Sequence, residues 1–360
     1  MSYQNTNQSI YPVIMTVKTQ SNCLKSSLAF IFLLFFQVNF AQGDFSRVEL
    51  ILKQYQKTLG KDLAIMVNKE GNNLYKYETE GFKIKTASPI GYSSTWLTAA
   101  VVMIFVDEGK INLDDPVSKY LPIFEKYLKG YITIRQCLSH TTGIQSDASG
   151  LASLVQKNKF SSLEEAVISY VSKRQIENNP GEVFKFSNVG PDIAARVIEV
   201  VSKKTFDRIS AEKLFRPLGM RVTSFYNEKE GVNPSSGAVS SALDYMNFMT
   251  MILNKGMHNG KRILSEASIA EMQKQQYAAL PVKYVPKLME GFGHGVGLWL
   301  QEKDDAGNAM AISSPGLYGT WAWIDLKRNY AAIILPKKED SDQKKEAFLG
   351  IKDEIDAEIK

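Results

Sequence analysis

The sequence predicts an α+β domain, and three observations carry that prediction. A helix-length run, Leu97 to Val106, has almost no polar side chain and must be buried nearly all round. Ahead of it lie two short alternating segments joined by a turn-rich pentapeptide, the pattern of a hairpin. Behind it, at the end of the chain, a β-branched run is followed by a helical repeat of apolar residues that packs on a sheet. The 360 residues are enough for one large domain or two ordinary ones, and 44% hydrophobic content is that of a globular protein. A net charge of +5, with no basic block or arginine stripe, argues against nucleic acid as a partner.

Leu28 to Phe36 is a short apolar run behind Lys18 and Lys25, followed by Gln37-Val38-Asn39-Phe40-Ala41-Gln42. This is the order of a signal peptide with cleavage after Ala41, and the run is too short for a permanent membrane anchor. Residues 1–41 are therefore expected to be removed, leaving a periplasmic or secreted chain, 42–360, with no membrane span. Met1 and Met15 both offer a start. Residues 1–41 hold two lysines and no acidic residue, so the mature chain has 41 basic against 38 acidic residues, or +3. Cys23 precedes the apolar run, unlike a lipoprotein cysteine. Cys137 is then the one cysteine left, so no intrachain disulfide forms and stability must come from the core.

From Asp44 to Leu59 the apolar residues Val48, Ile51, Leu52, Tyr55 and Leu59 have a helical period, with Asp44 or Ser46 as the cap. Leu63 to Asn68 and Leu74 to Tyr77 read as strands around the turn Lys69-Glu70-Gly71-Asn72-Asn73. Ser93, Ser94 and Thr95 suit the N-cap of the buried helix, because a short side-chain oxygen accepts from the orphan N–H groups of a first turn. Asp107 to Lys110 mark its exit. Helices are expected over Ile193 to Val201, Phe206 to Leu214 and, through Leu243, Met246, Phe248, Met249 and Ile252, after Ser236. Ala331 to Leu335 is a strand, and Phe348, Ile351, Ile355 and Ile359 mark the last helix. His140 reads as buried and hydrogen-bonded, and His258 as solvated in a polar turn. His294 sits at a strand entry, where a ligand pocket would be near. No repeat, phosphate loop or metal-spaced His/Cys cluster occurs, and no cofactor is implied.

Several strings together are specific. Ile90-Gly91-Tyr92-Ser93-Ser94-Thr95-Trp96-Leu97-Thr98-Ala99-Ala100 resembles the first catalytic motif, I-(G/A)-S-x-S-K-(W/x)-(L/F)-T-A-A, of the serine β-lactamase and penicillin-binding-protein superfamily. The branch is that of class C β-lactamases, D-alanyl-D-alanine carboxypeptidases and related esterases. Leu113-Asp114-Asp115-Pro116-Val117-Ser118-Lys119-Tyr120-Leu121-Pro122 and Ile132 to Ile144 resemble its scaffold strings. Pro180 to Gly190 resembles the second motif, P-G-x-x-F-x-Y-S-N-x-G, and Ser314-Pro315-Gly316-Leu317-Tyr318-Gly319-Thr320 the third, (H/K)-x-G-x-x-G-(T/S). The resemblance covers roughly residues 45–360. It implies a β-lactamase/transpeptidase-like fold: an antiparallel sheet flanked by helices, with an inserted helical subdomain over about 98–240.

The same comparison places Tyr92 where the nucleophilic serine belongs, Thr95 where the lysine belongs and Phe186 where the phenolic base belongs; Ser314 stands for the usual His or Lys, while Asn188 is retained. Serine acylation needs a nucleophile activated by a neighbouring base. A tyrosine phenol, with a reference pKa near 10, is a poor substitute without a cation beside it. The expected function is accordingly a secreted pseudoenzyme that binds a small-molecule or cell-wall-derived ligand, or a protein partner, in a degenerate cleft. Its expected lining is Tyr92, Ser93, Asn188, Ser314, Gly316, Leu317 and Tyr318, with Trp321 on the opposite wall. The alternative is a serine hydrolase with rearranged chemistry that uses Ser93 or Ser94. Against it, a shift of one or two residues on a helix turns a side chain through roughly 100–200°. The signal-peptide expectation is checked by N-terminal sequencing of exported protein: the mature chain begins at about Gln42, and an intact N-terminus in soluble cytoplasm would refute it.

Overall fold

The computed structural model describes residues 44–146, 160–227, 231–277, 279–337 and 344–359. The expected signal peptide and its cleavage site lie outside them. Seven strands form one antiparallel sheet: β1 (Leu63–Lys69), β2 (Asn72–Glu78), β3 (Gly293–His294), β4 (Trp299–Lys303), β5 (Ala309–Pro315), β6 (Trp321–Asp325) and β7 (Tyr330–Pro336), in the spatial order β3-β4-β5-β6-β7-β1-β2. The hairpin read from the sequence forms with both strands slightly longer, and its turn places Glu70 and Gly71 at positive φ. β1 then pairs with β7 from Leu63 opposite Pro336 to Lys69 opposite Tyr330, so the first and last of the seven strands in chain order lie side by side. Between β2 and β3 the described chain contributes nothing to this sheet; it is helices, turns and strand pairs of two or three residues.

The principal helices are α1 (Ser46–Gln54), α2 (Ser94–Asp107), α3 (Leu163–Lys173), α4 (Val189–Ser202), α5 (Ala242–Leu253) and α6 (Lys345–Glu358). α1 is shorter than the sequence period suggests: the chain breaks at Tyr55 and adds a single turn to Leu59. Asp44 accepts the Ser46 N–H at 3.1 Å in a local turn, but Phe45 holds the N-cap position and no side chain caps the helix, which corrects the expectation of an Asp44 or Ser46 cap. Alternation along the strands separates two cores. On one face, Ala64, Met66, Ile312, Ala322, Ile324, Ile333 and Leu335 pack with α2, α4 and α5. On the other, Ile65, Val67, Trp321, Trp323 and Ile334 pack with Val48 and Leu52 of α1 and Phe348, Ile351 and Ile355 of α6.

α2 is the centre of the first of these cores. Every residue from Ser94 to Phe105 is buried, as its lack of a polar face requires. The expected caps are not made, which corrects the sequence reading. A 3₁₀ turn, Gly91–Ser93, leads directly into the helix, and no side chain caps it. α6 is held by more than apolar contact. Lys352, 1% exposed, reaches Asp356 at 2.6 Å, Glu302 at 2.7 Å and Asp325 at 3.6 Å, and the Tyr330 phenol donates to Asp356 at 2.5 Å. No helix among the described residues is long and apolar enough to cross a membrane. Because Phe105 is fully enclosed, Phe105→Ala is expected to cost about 3–5 kcal/mol in urea unfolding. A loss under about 1 kcal/mol would show that α2 does not carry the core.

Candidate functional site

The site is built where the start of α2 meets the turn after β5. Gly91 has φ +55, and a Cβ there would stand 2.9 Å from the Leu317 nitrogen. A Cβ on Gly316 would stand 2.1 Å from the Ile90 carbonyl oxygen. Only glycines let these two backbones touch. Side-chain hydroxyls then fix the contact. The Ser93 hydroxyl donates to the Ser314 carbonyl at 2.5 Å, and the Tyr245 phenol of α5 donates to the Ser93 carbonyl at 2.9 Å. Ser94 donates to the Gly91 carbonyl at 2.6 Å and accepts the Ala238 N–H at 3.0 Å. Thr95 donates to the Ser235 carbonyl at 3.1 Å and Thr98 to the Pro234 carbonyl at 2.7 Å. All four hydroxyls are buried. They are donors that seat α2, not acceptors that cap it.

Of the predicted site residues, Tyr92, Ser93, Phe186 and the segment from Ser314 to Tyr318 lie together. Tyr92 and Phe186, each 4% exposed, meet edge to face with ring centroids 4.7 Å apart. Ser314, Gly316 and Leu317 are buried on the opposing turn, and Tyr318 is half-buried, 3.5 Å from a Cβ placed on Gly91. Asn188 precedes α4 and is half-buried, but its side chain does not cap that helix. Trp321 does not join them, which corrects the sequence reading. It lies on the other face of the sheet, 4.8 Å from the Phe348 ring of α6, and its indole N–H donates to Gln301. Strand alternation sends position 321 away from the side that carries Ser314.

Behind Phe186 lies an aromatic cluster in which two histidines meet. His140 is 4.4 Å from Phe186 and 4.9 Å from His294, ring centroid to ring centroid, and His294 is 4.7 Å from Trp299. The Ser187 N–H donates to His140 Nδ1 at 3.3 Å, which makes that nitrogen the unprotonated one. Burial holds His140 down to about 3 and His294 well below the ordinary imidazole value. His140 is thus buried and hydrogen-bonded as expected. His294 lies in the interior beside the site. His258 is half-buried in a two-residue hairpin and bonded to Asn259, not simply solvated. The sequence carried no signal for the His140–His294 pairing, since 154 positions separate the two.

Asp192, one turn beyond Asn188 on α4, was also missed. It accepts from the Tyr170 phenol at 3.1 Å, and burial raises its carboxyl to about 7. An acidic residue in a first helical turn reads as solvated dipole compensation, and only the packing of α3 on α4 shows otherwise. No group of three or more metal-ligating side chains occurs among the described residues.

The β-lactamase family model matches residues 85–353. Protein flp of Staphylococcus aureus is 31% identical over 175 residues, which is 45% of this chain and 34% of that protein. The chain therefore spans about a third of the length of this curated relative. Among solved structures, a protein of Bacteroides dorei described as a β-lactamase is 25% identical and superposes with a TM-score of 0.79 over 88% of this chain and 99% of that one. EstCE1, a hydrolase with promiscuous acyltransferase activity, shares the fold at 19% identity and a TM-score of 0.70, over 86% of this chain and 97% of its own.

The neutral histidine makes a pH prediction. Unfolded, His140 takes up a proton near 6.5, whereas folded it does so only near 3. Its contribution to stability is full above about 6.5 and is lost as pH falls toward 3. Asp192 works in the opposite sense: its contribution is full below 3.8 and is lost as pH rises through about 7. Urea unfolding of wild type and His140→Asn at pH 7 and pH 4.5 separates the two. Wild type is expected to lose up to about 1.4 kcal/mol per pH unit more than the variant on acidification. An identical pH dependence would refute a neutral, buried His140.

Proposed function

Because the chain belongs to the β-lactamase family, we propose that it is an exported, non-catalytic member that binds a ligand in the degenerate cleft between Tyr92, Asn188 and the Ser314–Tyr318 turn. The observation that carries this reading is the edge-to-face packing of Tyr92 on Phe186, ring on ring at 4.7 Å, at the two positions that match the family's nucleophile and phenolic base. An acyl-transfer site needs an oxygen that a base can deprotonate and a space beside it for the acyl carbon. Here an aromatic pair fills that space.

The neighbouring hydroxyls do not replace what is missing. Ser93 and Ser94 donate to backbone carbonyls of the scaffold, and both are wholly buried. Making either a nucleophile would break the bonds that seat α2 against the β5 turn. The nearest imidazole, His140, spends Nδ1 on the Ser187 N–H and faces the ring of Phe186. Loss of groups that act as a unit removes on the order of 10⁶ in rate. Binding, by contrast, needs none of them. Aromatic walls favour a flat or apolar ligand over a carboxylate-bearing peptide, since Thr95 offers no cation.

Labelling with a fluorophosphonate and a fluorescent β-lactam, together with aryl-ester hydrolysis, tests the proposal. Wild type is expected to remain unlabelled and to hydrolyse no faster than Tyr92→Ala. The combined Tyr92→Ser, Thr95→Lys and Phe186→Tyr variant is expected to reopen the space and to be the one variant that gains labelling, with Tyr92→Ser alone gaining none. Labelling mapped to Ser93 or Ser94, or wild-type turnover well above Tyr92→Ala, would instead establish a rearranged hydrolase.

A further inference from the structure

Asp192 brings a carboxyl, 6% exposed, to the seam between α3, α4 and the turn 233–238. Its Oδ2 accepts from the Tyr170 phenol of α3 at 3.1 Å. The Ser235 hydroxyl and N–H lie against the same group from the turn, yet Oδ1 makes no hydrogen bond of ordinary geometry. Arg174 stacks on the Tyr170 ring at 4.3 Å, and its field favours the charged carboxylate. Arg196, one turn further along α4, is taken up by Glu164 at 2.6 Å and Glu199 at 3.0 Å. Burial outweighs the Ser235 and Tyr170 donors and the Arg174 field, because a charge in this place loses its water. A proton on the carboxyl removes that charge and turns an unpaired acceptor into a donor.

The other side of the same turn carries the polar start of α2. The Ser235 carbonyl accepts from Thr95 at 3.1 Å, and the Pro234 carbonyl from Thr98 at 2.7 Å. Within the turn, Asn233 Oδ1 accepts from the Ser235 hydroxyl at 3.0 Å and the Ser236 N–H at 3.1 Å. These partners allow two proton arrangements. With Asp192 neutral, its O–H donates to Ser235 Oγ, and the Ser235 proton stays on Asn233, so the chain from Asp192 to Asn233 is complete and no charge is buried. With Asp192 ionised and its proton released to solvent, Oδ1 draws the Ser235 hydroxyl proton to itself. Asn233 then loses a donor inside the turn.

We propose that Asp192 is a positioning residue that latches this turn: protonated, it locks residues 233–238 and so seats the start of α2 through Thr95 and Thr98, and ionised, it loosens them and lowers ligand affinity in the cleft at Tyr92. The effect on affinity rests on the binding cleft proposed above, whereas the movement of the turn does not. The sign follows from burial. The folded carboxyl is raised from its ordinary 3.8 to about 7, so the lock is full in acid and is lost as pH rises through about 7. Asp192 thus works where His140, held down to about 3, does not titrate.

Nuclear magnetic resonance of the wild-type chain from pH 5.5 to 8.5 tests the latch without any variant. The Asp192 carboxyl and the amides of Ser235, Ser236 and Ala238 are expected to titrate together, and turn amides that ignore the carboxyl would overturn the proposal. Asp192→Asn keeps a donor for Ser235 and an acceptor for Tyr170, so it is expected to hold the acid form throughout. At pH 8.5 the turn amides of wild type are expected to exchange with solvent about tenfold faster than those of the variant. Tyr170→Phe removes a donor that favours the charged form, and the midpoint is expected to move to higher pH. The same pH profile in wild type and Asp192→Asn would overturn the latch. Nile red, a flat uncharged probe, reads the cleft, with Tyr92→Ala as the control. Its wild-type affinity is expected to fall several-fold from pH 5.5 to 8.5 and that of Asp192→Asn to stay level. Binding that needs Tyr92 yet ignores pH would overturn the link from turn to cleft, and binding that ignores Tyr92 would refute the cleft while a titrating turn still upholds the latch.

Discussion

The fold depends on burying a helix that has no polar face. From Ser94 to Phe105, α2 leaves nothing for solvent, so structure has to be built on every side of it. One side is supplied by the sheet face that carries Ala322, Ile324 and Ile333, and the rest by α4, α5 and the turns around them. The sheet itself closes only when β7, near the end of the chain, pairs with β1 near its start. Most of the intervening chain is then free to wrap the other sides of α2. The arrangement is one of high sequence separation, in which local elements gain their packing only after distant ones have met.

A helix buried in this way cannot be positioned by apolar contact alone, because such contact has no direction. Direction comes from the four hydroxyls of Ser93, Ser94, Thr95 and Thr98. Each donates to a backbone carbonyl, and together they reach Ser314, Gly91, Ser235 and Pro234. Two are carbonyls of the turn before α5, and one is the carbonyl at the end of β5. The polar start of α2 is therefore a three-way joint between helix, turn and sheet. This accounts for a run of hydroxyl residues at a helix start that performs no capping.

Stability elsewhere is arranged around buried charge and buried imidazole. Lys352 sits within the apolar stripe of α6 and is matched by Asp325, Asp356 and Glu302. Removing one partner from such a set costs far more than the set contributes over an apolar equivalent, so it acts as a constraint on the seating of α6. The His140–His294 contact behind Phe186 works similarly at neutral pH, where both rings are held uncharged. The rings of Phe186, His140 and His294 thus form an aromatic and imidazole layer without charge.

The fold was legible in the sequence where a pattern is local. The all-apolar run of α2, the Glu70-Gly71 hairpin and the period of α6 each report how a segment meets its own neighbours, and each formed as read. The convergence of Tyr92, Phe186 and Ser314 was legible through motif strings, which encode backbone close approaches such as Gly91 on Leu317 and Gly316 on Ile90. Tertiary structure alone decided the rest. A hydroxyl has the same composition whether it caps a helix or donates to a carbonyl 140 residues away, as Thr95 does to Ser235. Trp321 lies one strand position from residues that face α2, and alternation turns it to α6 instead. Asp192 and Lys352 look like solvated charges in one dimension and are buried in three. In each case the deciding quantity is which distant backbone or ring comes within about 3 to 5 Å, and a single sequence does not carry that distance.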